Sequence, residues 1–333
     1  MSKGHVDNRL DSWRTGVLVL IVALAAGYFS ARHFGGDTEP EPQSVSRPLM
    51  GTVVTVTVPA AADDGVAATR VQAALAEVAR VDSLFSWRLP PPVGMTAGAR
   101  QEERTTLLAM GLEVQMASDG AFDPRVMPLV KLWGFDGDAP RVPESAQVEA
   151  VARELAKLGL PGDVAGFEES AEALHFGAWA KGYAVDRAVE LLRHRGQSAA
   201  LVNAGGEVRG FGRGWTVGVQ HPRIPGALAA RLEPGELAVA TSGDYEQYFV
   251  QDGVRYHHLL DPRTGHPAMG CQSVTVLAAN CARADALATA VFVLGPQAGM
   301  EIIEGLADVE GLIIDAAGQR FDSSGLATYL ADD

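Results

Sequence analysis

Asp285 and Thr289 stand four residues apart in the segment CARADALATAVFVLG, so on a helix they share one face, one turn apart. Asn280 before the segment reads as a helix N-cap, and Gly295 followed by Pro296 reads as its stop. Nearly every other residue between them is Ala, Leu, Val or Phe, and a helix that is apolar all round is buried. A buried carboxylate has to be paired, hydrogen-bonded or bound to a metal, because otherwise it neutralises. A carboxylate above a hydroxyl is an oxygen-only pair, which suits a hard divalent cation such as Mg²⁺. The same residues also allow a plainer arrangement, in which Asp285 pairs with Arg283 or caps a neighbouring element.

A second loaded stretch is ALHFGAWAKGYAVDRAVELL, residues 173–192. Its pattern predicts a short strand, a turn over Gly177–Gly182 and then a helix. The small residues would let backbone approach a ligand closely, and Lys181 offers a point charge for phosphate. It is not a Walker loop, since GxxxxGK[ST] is absent. Asp186 falls in the helix, where a solvated or capping role is the default. The paired His257 and His258 follow a hairpin turn at Asp252-Gly253. Neighbours on a strand point to opposite faces, so at most one of them faces a site. Asp123 precedes a proline that holds it out of the helical region; it reads as an exposed carboxylate or as the N-cap of RVMPLVKLW. Trp87, beside a run of three prolines, is either a hydrophobic plug or a stacking surface for a flat ligand.

These groups need elements to position them. VVTVTV after Met50-Gly51-Thr52 alternates as a strand does and ends at Pro59. Helical periodicity covers residues 65–85, 104–118 and 143–158, whereas 197–223 and 237–241 read as sheet, with a turn at Asn203–Gly206 followed by Glu207. Strands and helices alternate irregularly, which favours an α+β fold with mixed or antiparallel sheets and flanking helices over a doubly wound sheet.

The N-terminus stands apart. Residues 16–33 hold an apolar run, GVLVLIVALAAGYFSA, near the lower length limit for a spanning helix. Lys3, Arg9 and Arg14 precede it and DTEPEPQ follows, which puts residues 1–15 in the cytoplasm and the bulk of the chain outside. Ala23-Leu24-Ala25 offers the alternative of a cleaved signal. A linker over 34–47 then leads to one domain, 48–333, large enough at 47% hydrophobic content to bury a sizeable core. A net charge of −14 argues against nucleic acid or an anionic membrane surface as partner. An anionic ligand would therefore need local help from a cation or a placed Lys or Arg. Cys271 and Cys281 flank a strand-like SVTVLAA that would hold them too far apart to bridge, so two free buried thiols are expected.

Taken together the segments resemble the FAD:protein FMN transferases of the ApbE family. The matching pieces are Met50-Gly51-Thr52, Gly120 to Pro124, Leu129 to Phe135, Ala180 to Asp186, Leu201 to Glu207, Thr241 to Tyr245, His258 to Gly265 and Ala284 to Thr289, in the family's order. The resemblance implies a T-fold-like α+β domain outside the cytoplasmic membrane. It further implies an enzyme that cleaves FAD and moves its FMN half to a Thr or Ser hydroxyl of a protein of a membrane redox complex, with Mg²⁺ and release of AMP. By the same resemblance the cation is held by Asp285, Thr289 and a backbone carbonyl near Ala178. Flavin contacts would come from Met50, Trp87, Ala121, Phe122, Asp123, His175, Lys181 and Leu259. His258, rather than His257, would be the base for the incoming hydroxyl, with a pKa near 7. Three positions depart from the family: His175 replaces an Asp, Arg125 replaces a Thr, and the loop after Trp87 is Pro-rich. Alternative readings are an FAD pyrophosphatase that gives FMN and AMP, and a flavin-binding protein impaired in catalysis.

Overall fold

The computed structural model describes residues 42–59, 64–86, 88–137, 139–168 and 173–332. The candidate anchor and Trp87 lie outside these residues. Among the described residues no helix is long and apolar enough to cross a membrane.

The first two strands, β1 (Gln43–Leu49) and β2 (Thr52–Val58), form a hairpin. Its two turn residues, Met50 and Gly51, have φ of 53° and 73°, as a type I′ turn requires. Five residues assigned to the linker, 43–47, are therefore part of the sheet. The strand's sequence QSVSRPL offers the core only Val45 and Leu49, both half-buried against it, and Pro48 is tolerated because β1 is an edge strand. Helices α1 (Asp64–Phe85) and α2 (Ala97–Ala117) follow. The second begins before the expected Arg104, because the Thr96 hydroxyl accepts the Ala99 N–H and caps it there. Next come α3 (Met127–Trp133), α4 (Ser145–Lys157) and the short α5 (Val164–Glu168).

No strand forms at residues 173–175. An extended segment enters a single 3-10 turn, Phe176–Ala178, and the chain passes directly into α6 (Ala180–His194). Lys181 thus sits in the first turn of a helix and not in a Gly-rich loop. Six strands then run in succession: β3 (Ala200–Ala204), β4 (Val208–Phe211), β5 (Val217–Gln220), β6 (Leu228–Leu232), β7 (Ala238–Gly243) and β8 (Tyr248–Gln251). They are followed by β9 (Val254–His257), β10 (Cys271–Ala278), α7 (Cys281–Leu294), α8 (Pro296–Gly305), β11 (Glu310–Asp315) and β12 (Arg320–Asp322).

The main sheet has the order β1-β2-β3-β4-β7-β10-β11-β12, every pair antiparallel, so the α+β expectation holds. Val54, Val56 and Val58 alternate onto one face and join a core with α1, α6 and α7. Leu201, Val208, Val239, Leu277 and Leu312 face the other side and meet Val217, Val219 and Leu232 of the separate β5–β6 ribbon. A third cluster packs α3 and α4 against the β8–β9 ribbon through Leu129, Trp133, Val148, Phe249 and Tyr256. Helix α7 lies at the centre, with all but three of its fourteen residues buried, against β7, β10, α2, α6 and α8. Its caps are as the sequence predicts: Asn280 accepts the Arg283 N–H, and Gly295 takes φ 82° before Pro296 opens α8. Cys271 and Cys281 are free and buried, as expected.

Candidate active site

Helices α6 and α7 cross in contact, and each holds the start of the other with a buried aspartate. Asp186 on α6 accepts the Cys281 N–H at 2.9 Å and the Ala282 N–H at 3.0 Å, the first amides of α7. Its Oδ1 also takes the Arg209 guanidinium at 2.6 Å. In the other direction, Asp285 on α7 accepts the Gly182 N–H of α6 at 3.0 Å. Gly182 lies in the first turn of α6, where backbone N–H groups have no partner within the helix, so Asp285 supplies one of them with an acceptor. The contact needs glycine, since a Cβ on Gly182 would fall 2.3 Å from the Cys281 carbonyl oxygen. Segments a hundred residues apart in the chain are thereby joined, with Ala178, Lys181 and Asp285 at the junction.

Three acidic side chains converge there on one ammonium. Lys181 Nζ meets Glu207 Oε1 at 2.6 Å, and Glu207 is buried with its Oε2 unpartnered. Glu246 reaches in from an exposed loop position: a methyl on Gly206 would come 3.9 Å from its Oε1. Burial, opposed by Lys181 and reinforced by Glu207, pushes the Glu246 carboxyl up to about 7. Burial and then the Glu207 charge also raise Asp285 well above the usual carboxylate range. Lys181 is held up by Glu207, Glu246 and Asp285 against its own desolvation. Among the described residues no three acidic, histidine or cysteine side chains cluster as a metal cage, so a cation here would be held by Asp285 with hydroxyl and carbonyl oxygens. Thr289, one turn along from Asp285, lies with its hydroxyl 3.3 Å from Ser242 Oγ. Asp285 and Thr289 share one face of α7, and the 3-10 turn ending at Ala178 contacts that helix; oxygen donors of this kind suit a hard divalent cation.

The two histidines separate as strand geometry requires. His257 is buried edge-on to Phe292 of α7, with its Nε2 bonded to the Ala268 carbonyl at 2.7 Å. His258 extends the ribbon ladder through its N–H to the Gln247 carbonyl, and its ring shares the electrostatic environment of Lys181 and His175. His258 Nδ1 lies 3.3 Å from the same carbonyl, which places the proton on Nδ1 and leaves Nε2 as an acceptor. Desolvation and then His257 and Lys181 hold its pKa down to about 3, well below the value near 7 expected for it. His175 is likewise lowered, to about 4, by burial opposed by Asp136. Both rings, like the side chain of Lys181, are half-buried.

Several expected ligand contacts are turned inward. Ala121 and Phe122 are buried, and Phe122 packs edge-on to Trp179 at 5.3 Å. Only their backbone is left to meet a ligand. Asp123 is neither exposed nor a cap. It is 9% exposed, its two oxygens bind Arg125 Nε at 2.9 Å and Nη2 at 2.7 Å, and α3 starts at Met127 without a side-chain cap. The missed signal was Arg125 itself, two residues on. Asp261-Pro262-Arg263 repeats the arrangement, with bonds of 2.9 and 3.0 Å. Leu259 is 6% exposed and belongs to the main core. Met50, half-buried, is fixed by its N–H to Asp82 Oδ2 at 2.9 Å. Sequence reasoning did not single out Glu246, although it directly follows the matching piece Thr241 to Tyr245.

An antiparallel α+β sheet with a buried oxygen-rich junction beside a lysine defines a protein suited to bringing a cation and an anionic ligand together. The ApbE family model matches residues 50–313, and the chain belongs to that family. It is 33% identical over 304 residues to an FAD:protein FMN transferase of Vibrio cholerae, covering 85% of this chain and 90% of that one. A Rhodobacter capsulatus FAD:protein FMN transferase is 40% identical over 203 residues, which are 57% of this chain and 38% of that longer protein. The crystal structure of the ApbE protein of Thermotoga maritima superposes with a TM-score of 0.74 at 30% identity, covering 88% of this chain and 100% of that one.

Proposed function

We propose that this chain is an FAD:protein FMN transferase whose acceptor is a Thr or Ser hydroxyl, with Mg²⁺ held by Asp285, Thr289 and the Ala178 carbonyl. The observation that supports the cation site is the hydrogen bond from the Gly182 N–H to Asp285, which ties the first turn of α6, just after Ala178, to the face of α7 that carries Asp285 and Thr289. When bound, the cation neutralises charge on the pyrophosphate of FAD, the chief demand of phosphoryl transfer. Lys181, paired with Glu207 at 2.6 Å, presents its ammonium to the phosphate oxygens. His258 Nε2 accepts the proton of the acceptor hydroxyl as its oxygen bonds to the FMN phosphorus and the anhydride bond to AMP breaks. In the empty site His258 is neutral and weakly basic; an anionic pyrophosphate beside it raises that basicity. Asp186, saturated by two amides and Arg209, keeps α6 and α7 in register.

The finer features of this reading are the acceptor, a protein of a membrane redox complex, and the placement of the domain outside the cytoplasmic membrane on an N-terminal anchor over residues 16–33. The placement is supported by the distribution of Lys3, Arg9 and Arg14 before the apolar run and acidic residues after it. The test is to incubate the full chain with FAD, Mg²⁺ and Thr-containing acceptor proteins from the host membrane. Attachment of an FMN mass with one equivalent of AMP is expected. FMN and AMP formed with no label on any acceptor would make water the acceptor and overturn the transferase reading.

A further inference from the structure

Asp136 stands two residues beyond Gly134, which ends α3 at φ 75°, and its Oδ1 is buried without a partner. The intervening Phe135 packs on Phe249 of the β8–β9 ribbon at 5.9 Å and fixes the backbone there. His175 has the matching defect: its Nδ1 is also buried and unpartnered. Asp136 lies close enough for its charge to oppose the desolvation of that ring. Buried polar atoms without partners are uncommon, and two so near call for a shared explanation. A carboxylate oxygen only accepts, whereas Nδ1 of a neutral imidazole accepts or donates according to tautomer. With the ring proton on Nδ1, each orphan is the partner that the other lacks.

That tautomer decides what the rest of the ring can do. His175 is extended, at φ −121° and ψ 92°, and its N–H donates to the Pro124 carbonyl at 2.7 Å. Its ring folds over Gly177, where a Cβ would fall 2.8 Å from Cε1 and 3.1 Å from Nε2, so a larger residue at 177 would displace it. Nε2 thus lies beside an exposed stretch of backbone, on a ring whose field reaches His258 together with that of Lys181. A proton on Nδ1 leaves Nε2 its lone pair, and the ring then presents an acceptor to the site. The chain carries histidine here where its family carries aspartate. An aspartate accepts in every orientation; a neutral histidine does so at a given nitrogen only when its tautomer is fixed.

We propose that Asp136 is a positioning residue that accepts the Nδ1–H of His175 and so turns Nε2 into an acceptor for the imide N–H of the flavin ring. The flavin half of FAD has to stay in place while AMP leaves, and the imide is the one N–H of the oxidised ring. The proposal rests on the transferase reading and adds a carboxylate that lies one residue past the matching piece Leu129 to Phe135.

The test is binding of FAD and of N3-methyl-FAD to the full chain, read by calorimetry, with FMN transfer measured in parallel. Wild type is expected to bind FAD about tenfold tighter than the methylated analogue, the worth of one hydrogen bond. Asp136→Ala should lose that preference and raise KM for FAD more than it lowers kcat. Asp136→Asn, whose carbonyl still accepts, should keep part of the preference. In a His175→Asp background the preference should be present and no longer depend on residue 136. An Asp136→Ala variant that keeps the full preference, weakens both flavins equally, or loses the preference in the His175→Asp background as well overturns the positioning role. So does a preference directed instead against an analogue with hypoxanthine in place of adenine. Because binding is read apart from transfer, FAD bound with the expected preference yet never cleaved supports the pair and overturns the transferase reading.

Discussion

Asp186 and Asp285 are two buried carboxylates on the same pair of crossing helices, each bound to the first amides of the other helix, and they differ in what else they hold. Asp186 is saturated: two N–H donors and a guanidinium at 2.6 Å account for both oxygens. Asp285 has one N–H donor, faces two further acids, and has Lys181 as a neighbour already committed to Glu207. Burial alone thus does not mark a functional carboxylate. The unbalanced one does, because a fully satisfied group ties the fold together while an under-compensated one is poised for a cation.

Substitutions should split the pair. Asp186→Ala strands Arg209 and two helix-terminal amides, so a stability loss of about 3–5 kcal/mol is expected in urea unfolding. The fraction that remains folded should still transfer FMN. Asp285→Asn should do the reverse, lowering the transfer rate about 10²–10³-fold with little loss of stability, as when one electrostatic contact to a reacting group is removed. Equal losses of stability in both variants would erase the distinction. Adding Mg²⁺ should stabilise the wild type by about 2.7 kcal/mol at a hundredfold excess over Kd, and should leave Asp285→Asn unmoved in a thermal melt.

The smallest effect concerns pH. His258, at about 3 when folded against 6.5 unfolded, binds fewer protons in the native state between those values. Its contribution is thus fully present above pH 6.5 and is lost as pH falls toward 3. Glu246, raised from 4.5 to about 7, works in the opposite direction, and its penalty grows as pH rises through that window. A His258→Asn variant should therefore flatten the acid limb of the stability curve; an unchanged limb would show that the ring is not shielded from water.

Much of this was legible in the sequence where a residue's role is set by its neighbours in the chain. The caps of α7, the Asp285–Thr289 spacing, the Asp252-Gly253 hairpin and the opposed faces of His257 and His258 all follow from local periodicity and turn chemistry. Roles set by distant partners were not legible. Nothing near Asp186 announces that it accepts amides of residues 281 and 282. The polar edge strand Gln43–Leu49 shows too little alternation to reveal it, because only Val45 and Leu49 lean on the core and Arg47 stands between them. Asp123 looked exposed because its partner Arg125 was weighed as a departure from a family pattern and not as a counter-ion. The span Gly177–Gly182 looked like a loop because its small residues suit close approach of backbone. That approach does occur, but between two helices at Gly182.

The most direct test of the division between these aspartates is equilibrium binding of Mn²⁺, as a stand-in for Mg²⁺, to the full chain with FAD, followed for wild type and for Asp285→Asn. One ion per chain is expected for wild type and a loss of at least tenfold in affinity for the variant. Equal affinity in the two proteins would contradict the assignment of Asp285 as a ligand.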